Sequence, residues 1–200
     1  ADRGRSSRRS AGGAGARGAS EGHHVEAPVG GGLAGEQQRQ RHRQPDQDGK
    51  QRSWADFKGR YRLVYFGYTF CPDVCPMDMA RNVEAVDRLA EKGIEVTPVF
   101  ISIDPARDTP DALADYATNM HPNLVALTGS DEQVRLASQA YKTFYQKQDT
   151  GDEYYLMDHS TFTYLVLPDK GFVDFFRREV TSEQMAESVA CFVQAGKGGS

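Results

Sequence analysis

The chain has 200 residues, a formal net charge of −4 and a mean hydropathy of −0.62. No run approaches the roughly 20 apolar residues of a membrane span, and no apolar signal region is visible. It also lacks an internal repeat and a glycine-rich nucleotide loop, which leaves a globular unit of ordinary composition as the object to explain.

The first 50 residues carry 11 of the 20 glycines and no aromatic residue, and Val25, Val29 and Leu33 are their large aliphatics. Such a segment buries too little apolar surface to offset chain entropy, so residues 1–50 read as a disordered tail. Its 9 Lys and Arg against 6 Asp and Glu give +3, leaving 15 against 22, or −7, for residues 51–200. Arginines such as those of Arg39-Gln-Arg-His-Arg43 are of the kind that meet anionic lipid or nucleic acid. The acidic remainder opposes that contact, and no nucleic-acid partner is expected.

From Trp54 onward, strand and helix patterns alternate. Arg62 to Phe66 is a short apolar strand, and Pro76 in a first helical turn opens an amphipathic stretch to about Lys92, stopped by Gly93. Glu95 to Ile103 is a second strand, too apolar to expose either face. Thr109 as N-cap and Pro110 as first residue start a helix to about Met120. Asn123 to Leu127 is a third strand, and Ser130-Asp-Glu-Gln133 is a capping-box start for a helix to about Tyr141. Thr161 to Leu167 and Gly171 to Phe176 then flank Pro168-Asp-Lys-Gly171, which is hairpin chemistry. Ser182 caps a last helix reaching about Val193, and Gly196 to Ser200 reads as a frayed end. A βαβ half followed by a hairpin and a closing helix predicts an α/β, thioredoxin-like three-layer sandwich. Its central mixed sheet is flanked by helices in one domain, residues 51–196.

Cys71 and Cys75, in Gly67-Tyr-Thr-Phe-Cys-Pro-Asp-Val-Cys-Pro76, sit where the first strand breaks into its helix. A helix N-terminus favours the thiolate, the form that reacts and ligates, so the pair reads as a reactive dithiol or a soft-metal site. At i and i+4 the two sulfurs lie on one face of a helix turn. Asp158-His159-Ser160, just before the hairpin, offers an imidazole as third ligand. Two thiolates select Cu(I), and an added imidazole also accepts Cu(II) while leaving a position open for a partner's ligand. The three-residue spacer, one longer than in thioredoxin redox motifs, argues for metal over fast dithiol exchange without excluding it. Zinc fits by ligand type, but no fourth ligand can be placed.

Phe66 to Pro76, Ser102-Ile-Asp-Pro-Ala-Arg-Asp-Thr-Pro110 and Tyr155-Leu-Met-Asp-His-Ser160, in that order, resemble the Sco/SenC family over about Asp46 to Val193. The resemblance implies a thioredoxin-like domain that binds copper, Cu(I) or Cu(II), through Cys71, Cys75 and His159. It also implies delivery of that copper to the dinuclear site of cytochrome c oxidase, with the copper-bearing subunit as partner. Other copper chaperones and thioredoxin-like reductants are further partners. The alternatives are a thiol-disulfide reductase of the oxidase cysteines, with Cys71 and Cys75 catalytic and able to form a disulfide, or a peroxide-reducing or copper-sensing protein. A bacterial periplasmic location with a membrane anchor in the native protein is expected, the mitochondrial intermembrane space being the alternative.

The single residues have plainer readings beside these. His159 alone is an ordinary core or capping histidine, and Asp158 is either its hydrogen-bonding partner in a second layer or a solvated strand-end carboxylate. Cys191 reads as core packing in the last helix, and Met77 and Met79 as helix packing rather than ligands. Arg107 pairs with Asp104 or Asp108, or meets a partner, in a loop whose structural reading is a rigid connection with a helix cap. Phe66, Tyr68 and Phe70 either shield the metal or fill the core, and His23 and His24 lack preorganisation. Before Asp46 the resemblance calls for an apolar strand, and Arg39 to Pro45 does not supply one. Residues 1–45 therefore read as an out-of-frame or vector-derived leader, which sequencing of the native gene checks.

Overall fold

The structure, a computed structural model, describes residues 43–148, 151, 154–168 and 170–197. Seven-residue strands β3 (Tyr61–Gly67) and β4 (Val96–Ser102) run parallel at its centre, with α1 (Val74–Glu91) crossing between them. Helix α2 (Pro110–Met120) leads on to β5 (Val125–Leu127), and α3 (Asp131–Tyr141) follows. Strands β8 (Thr163–Leu167) and β9 (Gly171–Phe176) add antiparallel to the other side, giving the order β5-β4-β3-β8-β9. The last helix, α4 (Ser182–Lys197), closes the chain. This is the mixed, helix-flanked thioredoxin-like sheet that the sequence implies.

Both faces of β3 are buried, which is why the strand reads as continuously apolar. The parallel register sets Tyr65 beside Phe100 and Phe66 beside Ile101. On one face Tyr65 reaches α1 through its hydroxyl and Phe100 stacks near Tyr116 of α2. On the other, Phe66 packs against Tyr141 of α3. Leu63 and Leu165 lie in a second cluster formed with Leu89 of α1 and Met185, Val189 and Val193 of α4.

The helix ends follow their capping residues. Thr109 Oγ1 accepts from the Ala112 amide at 3.3 Å, and Ser130 and Gln133 exchange the two capping-box bonds. The cap of α4 is Thr181 rather than Ser182: Thr181 Oγ1 accepts from the Gln184 amide, and Gln184 Oε1 accepts from the Thr181 amide. Ser182 is the first helical residue, and the helix runs past Val193 through Gly196 to Lys197. Cys191 is exposed, not in the core. Ala190 faces inward, and one residue further the helix has turned about 100° toward solvent.

Residues 44–50, which the sequence reading assigns to the tail, carry structure. Strands β1 (Gln44–Pro45) and β2 (Gln51–Arg52) form a small antiparallel hairpin, with Gly49 at φ +71° in its turn. Side-chain chemistry rather than apolar burial holds this hairpin, so an apolar pattern misses it. Buried Asp46 accepts the Asp48 and Lys50 amides at 3.0 and 2.9 Å and the Arg52 guanidinium at 2.6 Å. The hairpin docks on β5 through Gln47, whose amide donates to Leu124 O and accepts from Ala126 N. Residues 43–50 are therefore built into the fold; residues 1–42, including His23 and His24, and residues 198–200 lie outside the described residues.

Replacing Asp46 by alanine strands three donors at once. Asp46→Ala is expected to lower stability by roughly 2–4 kcal/mol, read as a shift in the urea midpoint. An unchanged midpoint would remove this hairpin from the cooperative fold.

Candidate metal centre

The chain leaves β3 at Gly67 and re-enters regular structure at Val74, so Cys71 stands ahead of α1 and only Cys75 lies in its first turn. The two sulfurs do not share a helix face as the spacing implies. Instead the loop folds back so that the Cys75 amide donates to Cys71 Sγ at 3.3 Å. Pro76 follows in the same turn, where a missing N–H costs no helical bond.

His159 arrives from an element that the apolar pattern does not reveal. Strands β6 (Tyr145–Lys147) and β7 (Met157–His159) form a two-stranded ribbon with Tyr145 opposite His159. The ribbon is extended by bonds from the Gln148 amide to Leu156 O and from the Ser160 amide to Phe144 O. Three-residue strands in a polar stretch carry too little periodicity to be read in advance. The ribbon sets His159 Nε2 3.3 Å from Cys75 Sγ. The three donor atoms of Cys71, Cys75 and His159 all lie within 4.8 Å of one another.

The histidine is oriented by the backbone. Nδ1–H donates to Ser160 O at 2.9 Å, which leaves the Nε2 lone pair facing the sulfurs. Asp158 does not take this part: its carboxylate is exposed and accepts from Gln148 Nε2 at 2.7 Å. A strand alternates its side chains, so adjacent Asp158 and His159 point to opposite faces. Burial lowers the His159 pKa, keeping the ring neutral at pH 7 and therefore competent as a ligand.

The loop carrying Cys71 is clamped from below by Asp108, which is fully buried. Asp108 accepts from Thr69 Oγ1 and Ser102 Oγ, both at 2.6 Å, and from the Thr69 amide. Arg107 pairs with Asp104 and donates to Tyr155 O at 3.0 Å. Its guanidinium lies 3.7 Å from the Tyr155 ring centroid and 4.8 Å from that of Phe70. Asp104 also accepts from the Tyr155 hydroxyl at 2.7 Å. The loop after β4 thus holds both the cysteine loop and the segment leading into β7.

The expected helix-dipole activation of the thiols does not govern Cys75. Its side chain has no exposed surface, and burial pushes its pKa up, so in the metal-free protein it is held as a thiol. That depth exists because Gly67 has no side chain. A Cβ there would lie 2.9 Å from Tyr65 Cε1, 3.0 Å from Phe100 Cε2 and 3.1 Å from Cys75 Sγ. Tyr65 and Asp78, absent from the sequence reading of the site, lie directly behind it, with the Tyr65 hydroxyl donating to Asp78 Oδ2 at 3.0 Å. The remaining candidates divide cleanly: Phe66, Tyr68 and Met79 are buried, whereas Phe70 and Met77 are exposed. Tyr68 also meets the His159 ring edge-on at 5.9 Å.

A family model described as SCO1/SenC matches residues 33–194. The chain belongs to the SCO1/SenC family. Protein SenC of Rhodobacter capsulatus is 53% identical over 133 residues, covering 66% of this chain and 60% of the relative. The mitochondrial protein SCO2 homolog of Homo sapiens is 44% identical over 147 residues, 72% of this chain and 55% of the relative. This SCO1/SenC chain therefore spans little more than half the length of these two curated relatives. Among solved structures, Arabidopsis thaliana ScoI with copper bound superposes with a TM-score of 0.74 at 34% identity, covering 76% of this chain and 96% of that one. Bradyrhizobium japonicum ScoI with copper bound gives 0.69 at 33% identity, covering 75% and 96%.

The close approach at Gly67 makes a direct prediction. Gly67→Ala forces Cys75 Sγ and the Tyr65 ring outward, lowering stability by about 1–3 kcal/mol. It should also weaken binding of a thiophilic metal probe at the Cys71, Cys75 and His159 cluster, read by competition with a chromophoric chelator. An alanine variant with unchanged affinity would show that the sulfur position is not limiting.

Proposed function

We propose that this domain is a copper carrier that binds Cu(I), and also Cu(II), through Cys71, Cys75 and His159 and hands it to the dinuclear copper site of cytochrome c oxidase. The observation that carries this reading is the convergence of two thiols and a neutral, backbone-oriented imidazole within 4.8 Å. That donor set is soft, and two sulfurs with one nitrogen suit copper. Among the described residues the cluster offers three donors, one short of a closed structural zinc site. Three protein ligands leave a coordination position for a ligand from the receiving protein. Two similar proteins are described with copper bound, and BsSco, 28% identical with a TM-score of 0.61, belongs to a family of cytochrome c oxidase assembly proteins.

The residues divide the work. Ser160 O fixes the His159 tautomer, so Nε2 is free to ligate without losing a proton first. Cys75, held as a thiol by burial, gives up its proton as the metal is captured. Asp108 and Arg107 keep the cysteine loop and the β7 segment in register, so the three donors are aligned before the metal arrives. The copper-bearing oxidase subunit is the receiving partner, with other copper chaperones and thioredoxin-like reductants acting upstream. The bacterial SenC and mitochondrial SCO2 relatives support placement on a membrane facing the periplasm, or the intermembrane space in a mitochondrial setting.

A second reading has its own observation. Cys71 and Cys75 are free thiols whose sulfurs lie within 4.8 Å of each other, and BsSco is described with a disulfide switch. A reductase of the oxidase cysteines needs that dithiol and does not need His159.

Anaerobic Cu(I) titration against a competing chelator separates the two. Wild type is expected to bind one equivalent tightly, with Cys71→Ser, Cys75→Ser and His159→Ala each weakening it by about 100-fold or more. If His159→Ala binds like wild type, or wild type binds only weakly, the carrier reading fails and the dithiol is the functional unit.

A further inference from the structure

One residue of the cysteine loop reaches both sides of the metal centre, and the carrier reading does not use it. Tyr68 stands directly after the end of β3 and is buried. Its backbone carbonyl accepts from the Cys71 amide at 3.2 Å, closing the turn that presents the first sulfur. Its hydroxyl accepts from the Met157 amide at 3.3 Å, in the strand that carries His159. Its ring meets the His159 imidazole nearly at right angles, with centroids 5.9 Å apart.

The reach to Met157 follows from the pairing of the ribbon. Lys147 of β6 lies opposite Met157 of β7, while the bonds from the Gln148 amide to Leu156 O and from the Ser160 amide to Phe144 O fall on the alternate positions. Met157 and His159 therefore occupy non-hydrogen-bonded sites of the antiparallel pair, where the amide points away from the partner strand. Met157 is buried, so its amide needs an acceptor inside the protein, and the Tyr68 hydroxyl supplies one. Residues two apart in a strand share a face, so the side chains of Met157 and His159 project together. A shift of this strand edge carries the imidazole with it. The bond to Ser160 O fixes the tautomer, while the plane of the ring is set by Tyr68 and by Tyr65, which also meets it edge-on, at 6.2 Å.

We propose that Tyr68 is a positioning residue for the metal centre, coupling the Cys71 turn to the His159 strand and so setting the separation of sulfur and imidazole nitrogen. The inference rests on the copper reading above. Without the hydroxyl the strand edge loses its tie to the cysteine loop, and without the ring the imidazole loses a wall as well. Both changes act on His159, because Cys71 keeps its bond to the Tyr68 backbone.

The test titrates the whole protein anaerobically with Cu(I) against a competing chelator, as wild type, Tyr68→Phe and Tyr68→Leu, each with His159 present and with His159→Ala. Tyr68→Phe keeps the ring and loses one hydrogen bond, and should weaken binding about fivefold. Tyr68→Leu loses both contacts and should weaken it about 10- to 100-fold, with the imidazole-nitrogen coupling in the Cu(II) EPR spectrum reduced. In the His159→Ala background both effects should shrink to within about twofold, because the ligand that Tyr68 positions is gone. A merely structural loss would weaken binding equally in both backgrounds. Melting of the metal-free variants reports the fold, and Tyr68→Phe supplies the readout should Tyr68→Leu not fold. A Tyr68→Phe affinity within about twofold of wild type, or losses of equal size in both backgrounds, overturns the proposal. Wild type that binds no copper, or His159→Ala that binds like wild type, overturns the carrier reading and the proposal with it, so the two failures are distinguishable.

Discussion

The close approach of α1 to the end of β3 at Gly67 is the constraint on which the rest of the structure depends. The absence of a side chain there lets the Cys75 sulfur sink to full burial between the strand and the helix. A buried sulfur is shielded from solvent and bulk oxidants, and burial also holds it protonated until a metal claims it. The helix can sit this close because Tyr65 and Asp78 join strand to helix by a hydrogen bond with no solvent between them. Packing and polar pairing thus act on the same few atoms, and the site inherits its geometry from the core.

Around that contact, three separate segments are brought to one place by different forces. The cysteine loop is held by Asp108, a buried carboxylate whose cost is offset by the hydroxyls of Thr69 and Ser102 and the Thr69 amide. The β6–β7 ribbon is held by its own backbone bonds and by Arg107, which binds Tyr155 O and stacks on its ring. The loop after β9 is held by Arg178 on Asp78 and by Arg81. Each clamp uses one buried or half-buried charge with several partners, an arrangement that fixes position more than it adds stability. Three donors are too few to organise a centre by themselves, so these clamps set their positions.

The outlying features follow the same logic of local chemistry. The hairpin at residues 44–52 has no apolar face, yet Asp46 gathers three donors and makes it part of the domain. Cys191, by contrast, shares the last helix with buried neighbours and still faces solvent. One residue of helical rotation decides its surroundings, where composition alone suggests the core.

The amino-acid sequence by itself determined the alternation of strands and helices from Arg62 to Phe176, the caps at Thr109 and Ser130, and which three residues are candidate donors. These depend on apolar periodicity, on residue types that satisfy helix ends, and on the soft chemistry of Cys71, Cys75 and His159, all of which are local. Only the tertiary structure decided that Cys71 precedes the helix, that a polar ribbon delivers His159, that Ser160 O rather than Asp158 orients it, and that Tyr65 and Asp78 stand behind Cys75. Those facts join residues 84 positions apart, as in the contact of Cys75 with His159. They arise from burial and from competition among hydrogen-bond partners, which exist only once the chain has closed on itself.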